Sequence, residues 1–324
     1  MRYRAFGRTG WRVSEIGFGG WQLGGQWGKQ DDGASVATLL HAFERGINFV
    51  DTAELYGSGH SETVIGRALR EWTGGKIYVA TKAQPIRWPD PDDDAPHMRG
   101  RFPQWYLRDN IEKSLTRLGV ERIDLYQLHS WMPDGLLSLD WLETLNALRL
   151  EGKIDRIGVS LRDYRPGEGV DLARFGLVES QQVVFNLFEQ RPAERLFPAG
   201  AITGTAFIGR VPLDSGALTG AWTTDTYASW ESGSQPHQMF RGERFAETLA
   251  RVEALKKECA PYYPTLVEAA LRYVLSQPGL STVIPGMRSP AEVDRNIGYS
   301  DGAPFPDALA ARLPAHGWVR NYYR

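Results

Sequence analysis

An α/β fold of the (β/α)8 TIM barrel type is what the sequence predicts, and three observations predict it. Short β-rich runs alternate with helical periods from about residue 45 to residue 297, the runs number eight, and the chain of 324 residues is long enough to close such a ring as one domain over 1–324. An open doubly wound sheet would carry G-x-G-x-x-G after its first strand. The one glycine-rich candidate, Gly17-Phe18-Gly19-Gly20-Trp21-Gln22, has glutamine where the last glycine belongs.

Taken in order, residues 1–14 read as a β-hairpin, Arg4 to Gly7 and Trp11 to Val13 about a turn at Thr9-Gly10, placed to plug the bottom of the barrel. The strands expected are Glu15 to Trp21, Ile47 to Thr52, Ile77 to Lys82, Ile123 to His129, Arg156 to Ser160, Gln181 to Asn186, Gly204 to Val211 and Ser281 to Pro285. Helical spacing joins Val36, Leu39, Leu40 and Phe43 up to Gly46, then Leu107, Ile111, Leu115 and Leu118 up to Gly119, then Leu142, Leu145 and Leu148 up to Gly152. Ser289-Pro290-Ala291-Glu292 has the form of a capping box with proline at the first helical position, so a helix starts after Arg288. Connections 84–104 and 213–243 are long and irregular, and both follow strands, which puts them at the C-terminal mouth where barrels build their sites.

Composition narrows the function classes. Lys+Arg 37 against Asp+Glu 39 leaves a net charge of −2 with no basic tract, so neither nucleic acid nor an anionic membrane is an expected partner. No run approaches the roughly 18 apolar residues of a membrane span, and Met1 to Ala5 lacks the apolar core of a signal peptide; a cytoplasmic location is expected. One cysteine, Cys259, reads as an ordinary thiol, and six scattered histidines have no ligand spacing, so no metal is expected. Asp90 to Asp94, interrupted by Pro91, reads as a solvated turn. An aromatic patch, Trp318 with Tyr322-Tyr323, is expected over the mouth or against a neighbour. There is no G-x-x-x-x-G-K-[ST], H-E-x-x-H or G-x-S-x-G.

At the mouth, strands two, three and four end in Asp51, Lys82 and His129, with Tyr56 in the loop after Asp51. A buried lysine beside an aspartate stays charged, and a cation held against a phenol is expected to lower its pKa, making Tyr56 a usable proton donor and acceptor. A neutral His129 can orient a substrate oxygen. That set suits reduction of a carbonyl. A glycosidase would need two carboxylates at the mouth, and Asp51 is the one that ends an expected strand.

These residues carry a family resemblance. D-T-A-E-L-Y-G (51–57), Ser61-Glu62, Gly66, A-T-K (80–82) and L-Y-Q-L-H (125–129) resemble the aldo-keto reductases, as do Gly7-Arg8-Thr9-Gly10, Ser14, Gly17-Phe18-Gly19, Gly158-Val159-Ser160, Gln182, Leu218-Thr219-Gly220 and Ile284-Pro285-Gly286. The match runs from residue 3 to about residue 297. It implies a (β/α)8 barrel that binds NADP(H), preferred over NAD(H), and a catalytic tetrad of Asp51, Tyr56, Lys82 and His129 with Tyr56 as general acid. It further implies that Ser160 and Gln182 hold the carboxamide, that Ser215 and Gly216 lie along the pyrophosphate, and that Leu213 beside them also binds the cofactor. Arg288 would meet the 2′-phosphate with Glu292 beside it and Asn296 near the adenine, while Gly20, Trp21, Asp51 and Gly286 complete the cofactor lining.

Three positions depart from the family pattern. Leu161 replaces the usual Asn beside Ser160, Arg210 replaces a Tyr that stacks on the nicotinamide, and Glu292 stands where Gln or Arg is frequent. Trp21, Trp27, Tyr56, Trp88, His129, Trp131, Trp222, Tyr227 and Trp230 are expected to wall the substrate pocket, in a form that suits aromatic aldehydes, ketosteroid-like molecules or sugars equally. The expected activity is NADPH-dependent reduction of a small-molecule aldehyde or ketone. The alternative is a cofactor-binding sensor or scaffold barrel with little turnover.

Overall fold

The computed structural model describes residues 1–28 and 30–320. Eight parallel strands follow one another round a ring in sequence order: β3 (Phe18–Gly19), β4 (Phe49–Asp51), β5 (Tyr78–Ala83), β6 (Ile123–Leu128), β7 (Ile154–Ser160), β8 (Ser180–Val184), β9 (Ala206–Arg210) and β10 (Thr282–Val283). The ring closes where Ile16 bridges Val283 and Gly19 bridges Gly286 in parallel, with the Gly17 N–H on the Val283 carbonyl at 2.8 Å. This is the (β/α)8 barrel the alternation predicted. Helices α1 (Asp32–Glu44), α2 (His60–Glu71), α3 (Gln104–Leu118), α4 (Asp140–Leu150), α5 (Val170–Phe175) and α6 (Pro192–Thr203) separate the strands as far as β9. After β9 come short α7 (Thr226–Ser229) and α8 (Gln235–Met239), then α9 (Glu243–Cys259) and α10 (Leu266–Leu275); α11 (Pro290–Gly298) and α12 (Asp307–Ala310) follow β10.

Local sequence explains where helices begin and end. Asp31 caps α1 by accepting from the Ala34 N–H at 2.8 Å, and Ser289 caps α11 by accepting from the Glu292 N–H at 3.3 Å. Gly119 ends α3 with φ +69, the left-handed conformation that glycine adopts without penalty. Gly66 in α2 allows that helix to lie directly on the end of α3: a Cβ there would stand 2.4 Å from the Arg117 carbonyl oxygen. Gly66→Ala is therefore expected to lower stability by about 1–3 kcal/mol, the cost of overpacking against immovable backbone; an unchanged urea midpoint would show that α2 and α3 can separate freely.

Inward-facing residues alternate along each strand. At the N-terminal end they are apolar: Phe49, Ala80, Leu125, Ala206 and Ile208 meet Phe6, Trp11 and Val13 of the hairpin, which plugs the barrel bottom as expected. The hairpin's own geometry is a correction. Its strands are β1 (Tyr3–Ala5) and β2 (Arg12–Ser14), joined through a 3-10 turn over Gly7–Thr9. The strands at the ring's seam are shorter than expected, with two residues each in β3 and β10; Pro285 has no N–H for the ladder, and glycine-rich flanks add no side-chain packing. Connection 84–104 is irregular up to α3, whereas 213–243 holds a 3-10 stretch (Asp214–Thr219) together with α7 and α8.

Candidate active site

One buried ion pair organises the C-terminal end of the barrel. Lys82 on β5 is fully buried, and its Nζ donates to Asp51 Oδ2 of β4 at 2.7 Å and to the Thr52 carbonyl at 2.6 Å. The second oxygen of Asp51 accepts from Gln182 Nε2 of β8 at 2.8 Å and from Gln127 Nε2 of β6 at 3.3 Å. Register explains the convergence, because Lys82 pairs with Gln127 across the ladder and His129, directly after β6, is held beside them by its N–H on the Ala83 carbonyl at 2.8 Å. Three other strands thus satisfy one carboxylate on β4. Burial pulls the Lys82 ammonium below its ordinary range, with Asp51 opposing.

Tyr56 and His129 sit above this pair. Lys82 Nζ is 5.1 Å from the Tyr56 ring centroid, and the Tyr56 and His129 rings meet edge-on at 5.7 Å. The electrostatics correct the expectation of an acidified phenol: burial raises the Tyr56 pKa, Asp51 raises it further, and Arg210 opposes only in part. The Lys82 charge is matched by the carboxylate 2.7 Å from it, so the phenol stays protonated. His129 is pushed well below its ordinary value by burial, then by Lys82 and Arg210, and is neutral at pH 7. Its Nδ1 is buried with no hydrogen-bond partner among the described residues.

The remaining residues expected to line a cofactor lie at the end of β7, in β8, after β3, β9 and β10, and on α11. Ser160 ends β7 next to Gln182 in register. Gly20 donates its N–H to the Asp51 carbonyl at 2.8 Å, and any Cβ there would stand 2.9 Å from that oxygen. Gly286 abuts Gln22, whose Nε2 donates to the Met287 carbonyl at 3.1 Å. Leu213, Ser215 (φ +55) and Gly216 (φ +98) form the turn after β9. The Arg210 guanidinium is held by the Leu161 carbonyl at 2.9 Å and by Asp163, a partner that sequence reading missed. At α11, Arg288 Nη1 donates to the Trp27 carbonyl at 3.1 Å, and Glu292 Oε2 accepts from the Arg288 backbone N–H at 2.6 Å. The buried Asn296 Nδ2 has no hydrogen-bond partner among the described residues.

The aromatic residues divide. Trp21 lies edge-on to Trp27 at 5.1 Å and 6.2 Å from the Tyr56 ring. Trp222, Tyr227 and Trp230 pack with Phe240 and Phe245 in the same cluster as Trp21 and Trp27, and Trp88 meets His129 at 5.7 Å. Trp131 does not belong to the mouth. Strand alternation stops at Leu128, and the indole is fully buried in the main core, donating Nε1–H to the Glu168 carbonyl at 3.0 Å and packing on Trp141.

Asp90 and Asp93 accept from the Asp92 and Ala95 N–H groups within their own turn, and no cluster of metal-ligating side chains occurs among the described residues. Cys259 is buried, its thiol pushed up to about 11 by burial. No helix among the described residues is long and apolar enough to cross a membrane. Tyr322 and Tyr323 lie outside the described residues.

A closed barrel with a buried Lys–Asp pair beneath a protonated phenol and a neutral imidazole defines an oxidoreductase class that acts on carbonyls. The chain belongs to the Aldo/keto reductase family, whose pattern matches residues 15–317. It is 31% identical over 299 residues to the aldo-keto reductase YhdN of Bacillus subtilis, covering 91% of this chain and 87% of that protein. It is also 28% identical over 315 residues to a protein of Escherichia coli named NADH-specific methylglyoxal reductase, covering 92% and 93%. The solved glycerol dehydrogenase AKR11B4 from Gluconobacter oxydans superposes with a TM-score of 0.77 at 28% identity, over 97% of this chain and 94% of that one. The family uses nicotinamide cofactors, and the donor set here fits one: the buried Asn296 Nδ2, which has no partner among the described residues, the N-terminus of α11 beside Arg288, and backbone at Gly20 that leaves no room for a side chain.

Proposed function

We propose that this chain is a cytoplasmic, single-domain reductase of small aldehydes or ketones that uses NADPH in preference to NADH. The observation that carries the reading is the Asp51–Lys82 pair at 2.7 Å lying under Tyr56, with His129 beside it, at the mouth of the barrel. A reduced nicotinamide, when bound, supplies the hydride to the carbonyl carbon. Tyr56 gives its hydroxyl proton to the carbonyl oxygen, and the phenolate left behind is stabilised by the ammonium 5.1 Å from its ring. His129, neutral, hydrogen-bonds the same oxygen and orients the substrate. Asp51 keeps Lys82 charged, and Gln127 and Gln182 hold Asp51 in place.

The reading is tested by titrating the tryptophan fluorescence with NADPH and NADH, then following loss of the reduced-nicotinamide absorbance with short-chain, aromatic and sugar carbonyls. Binding with turnover is expected. Binding without turnover would favour the sensor or scaffold, and failure to bind either cofactor would remove the reading. The pH dependence is also expected to be informative. The His129 proton is gained only as pH falls below its ordinary range, and the Tyr56 proton is lost only above its own, so kcat for reduction should be flat between about pH 6.5 and 10. An inflection inside that interval would assign the proton to another group.

Cofactor choice turns on Glu292. Arg288 favours a 2′-phosphate, but the Glu292 carboxylate on the Arg288 N–H puts a negative charge where that phosphate would approach. Glu292→Gln should tighten NADPH by about fivefold, the size of a partly exposed charge contact, and leave NADH unchanged. Equal changes for both cofactors in the titration would place Glu292 away from the discriminating phosphate.

A further inference from the structure

The turn after β9 is strained in a way its own residues do not explain. Three of the five non-glycine residues with positive φ among the described residues fall within it: Val211 (φ 56), Asp214 (φ 48) and Ser215 (φ 55). Left-handed backbone is costly for any residue with a Cβ, most of all a β-branched valine, and it persists only where the surroundings over-determine it. Two contacts from outside the turn do so. Asn186 Nδ2 donates to the Val211 carbonyl at 2.9 Å, and Arg320 pairs with the fully buried Asp214 carboxylate from 106 residues away.

The Arg320 side chain is only 6% exposed, and its guanidinium gathers more than Asp214. It stacks at 4.3 Å on Trp318, 4.8 Å on Phe188 and 5.5 Å on Tyr164, so one cation touches the mouth loops after β7, β8 and β9 together. Trp318 anchors the tail by donating its backbone N–H to the Phe188 carbonyl at 2.8 Å, and the Arg251 guanidinium also lies over its ring, at 4.4 Å. A buried carboxylate stripped of its cation cannot stay where it is without a large penalty. The shape of segment 211–216 is therefore conditional on the docked tail.

We propose that Arg320 is a positioning residue for the dinucleotide: by docking the C-terminal tail on Asp214 it holds segment 211–216 in the shape that receives the cofactor's diphosphate. This rests on the reading of Leu213, Ser215 and Gly216 as cofactor-binding. Arg320 acts through the loop and touches no reacting group.

The test uses the full chain with Arg320→Met, Arg320→Lys and the double variant Asp214→Asn/Arg320→Met. Backbone amide exchange is measured without cofactor, and dissociation constants for NADPH and NADH are measured by tryptophan fluorescence. In Arg320→Met the amides of 213–218 should exchange faster while those of α1 to α3 do not, and both cofactors should bind about tenfold more weakly. The Michaelis constant for cofactor should rise in step, with kcat at saturation falling much less. Arg320→Lys, which keeps the charge, should recover most of the affinity. Unchanged exchange at 213–218 would overturn the proposal, as would a lowered melting temperature with unchanged cofactor affinity. Should Arg320→Met fail to fold, the double variant, which leaves no buried unpaired carboxylate, carries the same comparison. If the parent chain binds neither cofactor, the functional reading fails, whereas amide exchange still reports whether Arg320 holds the segment.

Discussion

Tyr56→Phe should lower kcat for carbonyl reduction by about 10³-fold, within the range general acid catalysis supplies, and leave the dissociation constants of both nicotinamide cofactors within about twofold. The substitution removes one oxygen and keeps the ring that packs against His129 and Trp21. Because burial keeps the phenol protonated, its loss cannot be replaced by raising the pH within the ordinary range. Steady-state kinetics at saturating cofactor decide the matter. Full kcat in Tyr56→Phe would mean that the proton comes from elsewhere, with His129 or a water in its place.

Lys82→Met is expected to lose activity to a similar degree and, unlike the tyrosine change, to cost about 3–5 kcal/mol of stability. Lys82 is fully buried with its ammonium satisfied by Asp51 and the Thr52 carbonyl. Methionine fills the stem's volume but leaves the Asp51 carboxylate inside the barrel with only the Gln127 and Gln182 amides. Chemical denaturation reads the loss, and Asp51→Asn/Lys82→Met should recover much of the stability without the activity. A Lys82→Met protein with wild-type stability would show that the pair is solvated, and that the field on Tyr56 arises elsewhere.

Much of this site is legible in the sequence. Asp51, Lys82 and His129 announced themselves as polar residues ending apolar runs, and the structure brings all three together with Tyr56. Gln127 is legible too: it stands two residues before His129 in the same apolar run, and in the ladder it pairs with Lys82. Trp131, two residues after His129, obeys the same spacing and is nevertheless buried in the core, because alternation holds only while the chain stays extended and β6 stops at Leu128. Arg210 stands out in the sequence as a departure, but its tie to Asp163 joins the end of β9 to the loop after β7 with no pattern between them.

What the sequence determined by itself is whatever short-range order encodes: the alternation that yields eight parallel strands, the cap at Ser289, the glycine stop at Gly119, and which residues stand at strand ends. Those depend on neighbours within a few residues and on hydrophobic period, so they can be read from order alone. Only the tertiary structure decided the state of the groups. Whether the Tyr56 phenol is acidified or held protonated depends on how Asp51 offsets Lys82 and on burial that four strands create together. Arg320 meeting Asp214 across 106 residues is set by where the closed ring leaves its last segment, and no local propensity records it. Charge and burial act through space, and the distances that set them exist only once the barrel has closed.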